Sequence, residues 1–324
     1  MPTETNKHEL DRRVKVSVLV MTYNHHSYIE QALDSALEQQ TSFEYEILVS
    51  EDCSTDGTRE LVIDYQRRYP QMIRLLLSEE NIRSNAIVVR GINAARGEYI
   101  ALLDGDDYWT SPQKLQKQAD FLDRHPACAI CFHNARTVKE EGNGQPWNWT
   151  PAGHPEISTL EDIWMGNFIA TCSTMFRSGL VEPIPAWYDG MFPITDWPLH
   201  ILNAEHGSIG YIDEVMGVYR QHLGGYYSPL NEAQKQAKTL AFYREMNAHL
   251  SYKYDTIICT AISKYFYDWA RVYIKRGNFD RARSCFNTCL TGRPINRHMP
   301  LRKLLQMGAR LYLSRLSPVQ RAGI

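Results

Sequence analysis

Residues Gly97–Trp109 read GEYIALLDGDDYW, and this stretch decides the fold. Gly97 stops whatever precedes it, and the apolar run Glu98–Leu103 (EYIALL) reads as a buried strand. Three carboxylates follow at once: Asp104, Asp106 and Asp107. Crowded carboxylates repel one another, so such a cluster is unfavourable unless a cation or water relieves it. Hard divalent cations take oxygen ligands, and Mg²⁺ characteristically uses one or two carboxylates together with substrate phosphates. The bland alternative is an acidic turn ahead of Pro112 and a helix over Lys114–Asp123, because D-x-D on its own occurs often by chance.

Outward toward the N-terminus, Val14–Met21 (VKVSVLVM) predicts a strand, broken by Thr22-Tyr23-Asn24. Ile29, Leu33, Ala36 and Leu37 recur at helical spacing and predict a helix over about Ser27–Gln40. Glu44–Ser50 is a second strand, Asp52–Thr58 a polar turn leading into a helix through Tyr65, and Ile73–Leu77 a third strand. Ile87–Ala95 is helical and ends at Gly97. This alternation predicts a mostly parallel, Rossmann-like α/β sheet flanked by helices on both faces. Ligands of such sheets bind at the carboxyl ends of the strands, near the switch in strand order. Thr22–Asn24, Glu51–Asp56 and Asp104–Asp107 each sit just past a strand end, so a crevice is expected there. Further along, Ala127–Phe132 and Gly210–Tyr219 read as strands, and Thr159–Met165 and Asp196–Glu205 as helices. The stretch 140–155 reads as loop.

Taken together, VSVLVMTYN, SEDCSTDGT and GEYIALLDGDDYW, in that order and each at a strand end, resemble the family 2 glycosyltransferases of the GT-A fold, over about residues 14–230. PQKLQKQADFL and ITDWPLHILNAEHGSIGYIDEVMGVYRQH continue the likeness. The resemblance implies a nucleotide-sugar donor, with a UDP-sugar favoured, and a saccharide or lipid-linked saccharide acceptor. It assigns the nucleotide pocket to Thr22, Tyr23 and Asn24, to Glu51 and Asp52, and to Asn81, with Asp104 and Arg220 also touching the donor. Asp104 and Asp106 match the metal-binding D-x-D for Mn²⁺ or Mg²⁺, with His222 as a further ligand and Asp107 as an orienting residue. Asp196 matches the general base of an inverting transfer, with Thr195 where an acidic residue often stands. Cys53 replaces a usual glycine. Arg83 is a candidate phosphate contact, whereas His25 and His26 read as solvent-facing. Trp147, Trp149, Trp164 and Trp187 lie where the acceptor is received, although buried tryptophans are the commoner explanation.

The 324 residues carry 35 basic and 37 acidic side chains, a net −2, which argues against nucleic-acid binding as the main activity. Seven cysteines form no framework spacing, and Cys128 and Cys131 fall on opposite faces of a strand, which favours core packing over zinc. Residues 1–13 form a polar leader with no secretory signal, and no apolar run spans a membrane; a cytoplasmic protein, at the inner-membrane face if anything, is expected. Residues 231–324 turn helical: Ala233–Leu250, Thr256–Arg276 and Asp280–Leu290 form an appendage in which one helix pair resembles a tetratricopeptide-type hairpin. The final 297–324 hold six Lys or Arg and no acid, with leucines on one helix face, so peripheral membrane contact and a simple docked helix are both open. Two rivals to transfer remain: a nucleotidyltransferase, although TYNHH lacks the Gly-rich phosphate loop such enzymes use, and a non-catalytic nucleotide-sugar-binding module.

Overall fold

VSVLVMT forms the middle of a parallel sheet because its seven residues are buried on both faces and most are β-branched or aliphatic. The computed structural model describes residues 3–4, 14–141, 144–225, 229–295 and 299–312. Most of the polar leader, and the tail beyond residue 312, lie outside the described residues. The chain divides into Met1–Ile163 with Asn167–Lys235, and Trp164–Gly166 with Gln236–Ile324.

In chain order the elements of the first unit are β1 (Thr3–Glu4), β2 (Val16–Thr22), α1 (Ile29–Leu37), β3 (Tyr45–Glu51), α2 (Thr58–Arg68), β4 (Ile73–Leu77), α3 (Ala86–Ala94), β5 (Tyr99–Asp104), β6 (Tyr108–Trp109), α4 (Lys114–Arg124), β7 (Cys128–Lys139), β8 (Trp147–Asn148), β9 (Ile157–Ser158), α5 (Leu160–Trp164), β10 (Thr174–Arg177), α6 (Asp196–Ala204) and β11 (Ser208–Gln221). The sheet runs β1-β4-β3-β2-β5-β10-β7-β11-β6, with β8 on β7 and β9 on β11. Pairings among β4, β3, β2 and β5 are parallel, as is β7 with β11; the shorter strands join antiparallel. The chain winds outward from β2 to β4 and then returns to the other side of β2 as β5, so the switch in strand order lies at β2. Register puts Thr22 opposite Glu51 and Met21 opposite Asp104, which lines up the three polar strand ends.

Two features depart from the sequence reading. β7 and β11 run to Lys139 and Gln221 because they pair in parallel over most of their length, interrupted between Ile212 and Gly217. Their polar ends carry no apolar periodicity, so only the buried centres are legible. β10 was not expected: four residues, TMFR, are too short for a pattern, yet they bridge β5 and β7 antiparallel to both. Cys128 and Cys131 are buried in β7 as free thiols.

At the opposite end of the sheet from the polar loops, Glu46 is buried to 1% exposure. It accepts from Ser17 Oγ at 2.7 Å, Arg74 Nη1 at 2.9 Å and Arg96 Nη2 at 2.6 Å, and so ties β2, β3, β4 and the turn before β5 together. Burial alone would raise its carboxyl, but Arg96, Ser17 and Arg74 hold it below the ordinary value.

The second unit is helical: α7 (Glu232–His249), whose first turn belongs to the first unit, then α8 (Asp255–Lys275), α9 (Phe279–Thr291) and α10 (Leu301–Tyr312). Trp164 packs among Phe242, Tyr243 and Tyr254, and the Tyr243 hydroxyl donates to its carbonyl at 2.9 Å. Gly277, at φ 74°, makes the turn between α8 and α9, and the Asn278 side chain caps α9. No helix among the described residues is long and apolar enough to cross a membrane.

Removing one partner of a buried ion pair leaves the others uncompensated, so Glu46→Ala is expected to lower the unfolding free energy by about 3–5 kcal/mol in a denaturant titration. Because the folded-state carboxyl is depressed, its contribution is present above the unfolded value and lost as pH falls through the folded one. Glu46→Gln should therefore melt below the native chain at neutral pH, and the gap should close on acidification below about pH 4.

Candidate active site

The first two strand-end loops are knitted to each other. Asn24 stands in the left-handed region at φ 55°; its N–H donates to Ser54 Oγ at 2.9 Å and its Oδ1 accepts from the Thr55 N–H at 2.8 Å. Glu51 is fully buried: it accepts from the Ser54 N–H at 2.5 Å and from Arg59 Nε at 2.6 Å. These two predicted pocket residues thus hold the loops in shape. Asp52 reaches the next loop, accepting from the Ile82 N–H at 3.0 Å. Asn81 Oδ1 accepts from the Arg83 N–H at 3.1 Å, while Asn81 Nδ2 is buried with no hydrogen-bond partner in the protein. Tyr23 is half-buried at the end of β2, and Arg83 is exposed. Cys53 takes φ 58°, the conformation that a glycine favours, and its thiol lies 3.4 Å from the Glu79 carbonyl.

The acidic turn leaves β5 beside β2. Gly105 N–H donates to the Met21 carbonyl at 2.8 Å, and a Cβ on Gly105 would fall 2.7 Å from Thr22 Oγ1 and 2.8 Å from His25 Nδ1. Only glycine fits there. Thr22 itself is buried, within 3.3 Å of His25 Nδ1. Asp106 Oδ2 stands 3.0 Å from His222 Nε2 and 3.7 Å from His25 Nε2. His25 therefore faces the acidic turn rather than solvent, correcting the sequence reading; His26 is exposed as expected. His25 was missed because nothing in TYNHH shows that the chain folds back toward Asp106.

β6 pairs with β11, and this pairing delivers Arg220 and His222 to the turn. Arg220 donates from its backbone N–H to Asp107 Oδ1 at 2.8 Å and from Nη1 to the Asp106 carbonyl at 2.5 Å, and Nη2 bonds Gln31 Oε1. Its guanidinium lies over the Tyr108 ring at 4.5 Å and the Tyr28 ring at 5.2 Å. The Tyr28 hydroxyl donates to Glu140 at 2.5 Å, which pushes it up to about 12. Arg220 thus braces the turn, and Asp107, 1% exposed, anchors the end of β11.

The electrostatics divide the three carboxylates. Burial, then the charges of Asp106 and Asp196, raise Asp104 well above the usual range. Burial, Asp106 and Asp104 do the same to Asp107. Burial would raise Asp106 too, but His25 and the His222 hydrogen bond outweigh it, so Asp106 lies below its ordinary value. The Asp106 hydrogen bond in turn raises His222. Two crowded carboxyls without a counter-charge, beside one paired with imidazoles, leave oxygen donors suited to a hard cation. Among the described residues no group of three or more His, Cys, Asp or Glu side chains is arranged to hold a metal ion.

Asp196 opens α6. Its Oδ1 accepts from the Trp197 N–H at 2.7 Å and its Oδ2 from Asn167 Nδ2 at 2.9 Å. The segment before it is clamped by Asn85, a fully buried residue that sequence reading passed over. Asn85 Nδ2 donates to the carbonyls of Tyr188 and Ile194 at 3.0 and 3.1 Å, and Asn85 Oδ1 accepts from Thr195 Oγ1 at 3.0 Å. Only its place before an apolar helix hinted at a cap. Of the four tryptophans, Trp164 is core, Trp149 packs edge-on to Tyr219 at 5.3 Å, Trp147 is 39% exposed and Trp187 is half-buried.

The profile described as Glycosyl transferase family 2 matches residues 17–182. The chain belongs to glycosyltransferase family 2. It is 39% identical over 211 residues to the uncharacterized protein Rv1520 of Mycobacterium tuberculosis, covering 65% of this chain and 60% of that one. To the putative teichuronic acid biosynthesis glycosyltransferase TuaG of Bacillus subtilis it is 34% identical over 166 residues, 49% of this chain and 60% of TuaG. The family 2 chain thus spans about 60% of the length of these curated relatives. Its fold is that of S. aureus TarS 1–349, crystallised with UDP-GlcNAc, at TM-score 0.56 and 21% identity over 85% of this chain and 82% of that one.

Asn85→Ala leaves two buried carbonyls without donors, and unsatisfied groups of this kind cost about 1–3 kcal/mol each. The variant should melt earlier, and the amides of residues 186–196 should exchange hydrogen faster than in the parent. Cys53→Gly removes a side chain from a left-handed position that costs other residues about 1–2 kcal/mol. Its melting temperature is expected to equal or exceed the parent's, whereas Cys53→Val should lower it.

Proposed function

We propose that this chain is an inverting, metal-dependent glycosyltransferase that moves a sugar from a nucleoside-diphosphate-sugar, a UDP-sugar first among them, to a hydroxyl of a saccharide or lipid-linked saccharide during assembly of a surface polysaccharide. One observation carries the reading: Asp196 stands near enough to the acidic turn for its charge to raise Asp104. A prospective base thus lies within electrostatic reach of a prospective cation site, which supports a donor bound between them. The likeness to TuaG, named for teichuronic acid biosynthesis, and to TarS crystallised with UDP-GlcNAc supports the donor class and the setting.

The geometry supports the following residue roles. Tyr23 offers a ring to stack on the base, Asp52 an acceptor, and Asn81 Nδ2 a buried donor that nothing in the protein satisfies. Asp104 and Asp106, with His222 behind Asp106, fit Mn²⁺ or Mg²⁺; the small protein ligand set leaves further positions to diphosphate oxygens and water. Bound there, such an ion supplies the charge that stabilises the departing diphosphate. Asp196 is held in place by Asn167 Nδ2 and by the Trp197 N–H in the first turn of α6. It takes the acceptor proton as the acceptor oxygen bonds to the anomeric carbon and the bond from that carbon to the diphosphate breaks. A single displacement from the opposite face inverts the anomeric configuration.

The test is incubation with a panel of nucleotide-sugars and saccharide acceptors. Release of nucleoside diphosphate with acceptor glycosylation is expected, and it should stop on chelation of divalent ions; pyrophosphate release would mark nucleotidyl transfer instead. General-base catalysis contributes about 10²–10⁴-fold, so Asp196→Asn should lower kcat by that factor while calorimetric UDP binding stays unchanged. Wild-type turnover in that variant would remove Asp196 from the role. Asp106→Asn should abolish the Mn²⁺ enhancement of UDP binding.

A further inference from the structure

We infer that α10 and the exposed apolar residues just before it form a surface that docks on an anionic lipid bilayer. The near-zero net charge conceals a strong partition. Residues 281–324 hold nine of the 35 basic side chains and none of the 37 acidic ones, so they carry +9 against −11 for residues 1–280. An asymmetry of this size points to an anionic partner for the basic end.

The helix supplies the apolar half of the surface. Leu304, Met307 and Leu311 are buried, and α10 is seated on α9, where Arg283 donates to the Leu311 carbonyl and the Tyr312 hydroxyl to Asn287 Oδ1 at 2.7 Å. That stripe suffices to hold the helix. A second stripe, Leu301, Leu305, Gly308 and Tyr312, follows at spacings of four, three and four, which places it on one face. Its large members point outward, with Leu301 50%, Leu305 63% and Tyr312 42% exposed. Leu290 and Ile295, which precede α10 in the chain, are 47% and 62% exposed, and Arg302 and Lys303 are exposed on α10 itself.

Outward leucines beside exposed cations, on a helix that has no acid of its own, are what a helix lying in a membrane interface presents: apolar groups enter the acyl boundary while the basic side chains meet lipid phosphates. A nucleic acid or an acidic protein would answer the charge and leave Leu301 and Leu305 in water. A second copy of the chain would cover the leucines but bring two +9 segments together. The bilayer satisfies both halves.

Flotation of the full chain with vesicles of phosphatidylcholine, alone or mixed with phosphatidylglycerol, tests the inference independently of any transferase activity. Binding is expected only to the anionic vesicles and should fall steeply with added salt. The exposed double variants Leu301→Asp with Leu305→Asp, and Arg302→Glu with Lys303→Glu, should each lower the partition coefficient by about tenfold or more at an unchanged melting temperature. The inference is overturned if anionic vesicles do not bind the chain, or if both double variants bind undiminished. It is equally overturned if sedimentation without lipid shows self-association that the leucine variant disperses, or if RNA binds in place of vesicles.

Discussion

Like-charge crowding at the carboxyl end of β5 is the constraint to which the first unit answers. Asp104, Asp106 and Asp107 stand within four residues, and the field of Asp196 reaches the same place. Such an arrangement resists folding unless positive groups and N–H donors are brought to it from elsewhere. His25 arrives from the β2 loop, and Arg220 and His222 from the end of β11. The neutralisation is uneven, since Asp106 is satisfied while Asp104 and Asp107 are left raised.

The strand order does the positioning. With β2 flanked in parallel by β3 and β5, three loops emerge side by side; Asn24 and Asp56 accept from the Thr55 and His26 N–H groups and lock the β2 and β3 loops together, and Asp52 accepts from the Ile82 N–H of the loop after β4. Burial would raise Asp56, but the Thr58 and His26 hydrogen bonds outweigh it and hold it low, so the lock includes an ionised carboxylate. Glu46, at the far end of the same strands, closes the sheet from below with two arginines. The two acidic centres of the sheet thus differ: Glu46 is held low by Arg96, Ser17 and Arg74, whereas burial and neighbouring carboxylates raise Asp104 and Asp107.

Much of this was legible. The parallel strands announced themselves as unbroken apolar runs because both their faces are buried, and the polar triplets at their ends marked the crevice. What escaped were features whose cause lies far away in sequence. β10 is four residues inserted between two strands, without a periodicity of its own. Asn85 looks like an ordinary polar residue before a helix until residues 188–195 fold against it. His25 and Arg220 are ambiguous for the same reason: a side chain's partner 81 or more positions away leaves no local trace. Conversely, Asn24 and Glu51 carried a strong motif, yet their side chains are engaged in shaping loops.

The contact between Asp106 and His222 spans 116 positions, and the strand that delivers it is the last of the sheet. A nascent chain therefore presents its acidic turn with His25 already made but long before Arg220 and His222 exist. Contacts of such sequence separation close late, because chain entropy must be lost before they form. An early-terminated product reaching residue 207 would possess every strand of the β2–β5 half and still lack the Arg220 and His222 contacts of the acidic loop. Completion of β11 acts in effect as a length check on the polypeptide: only a chain synthesised through His222 can quiet that loop.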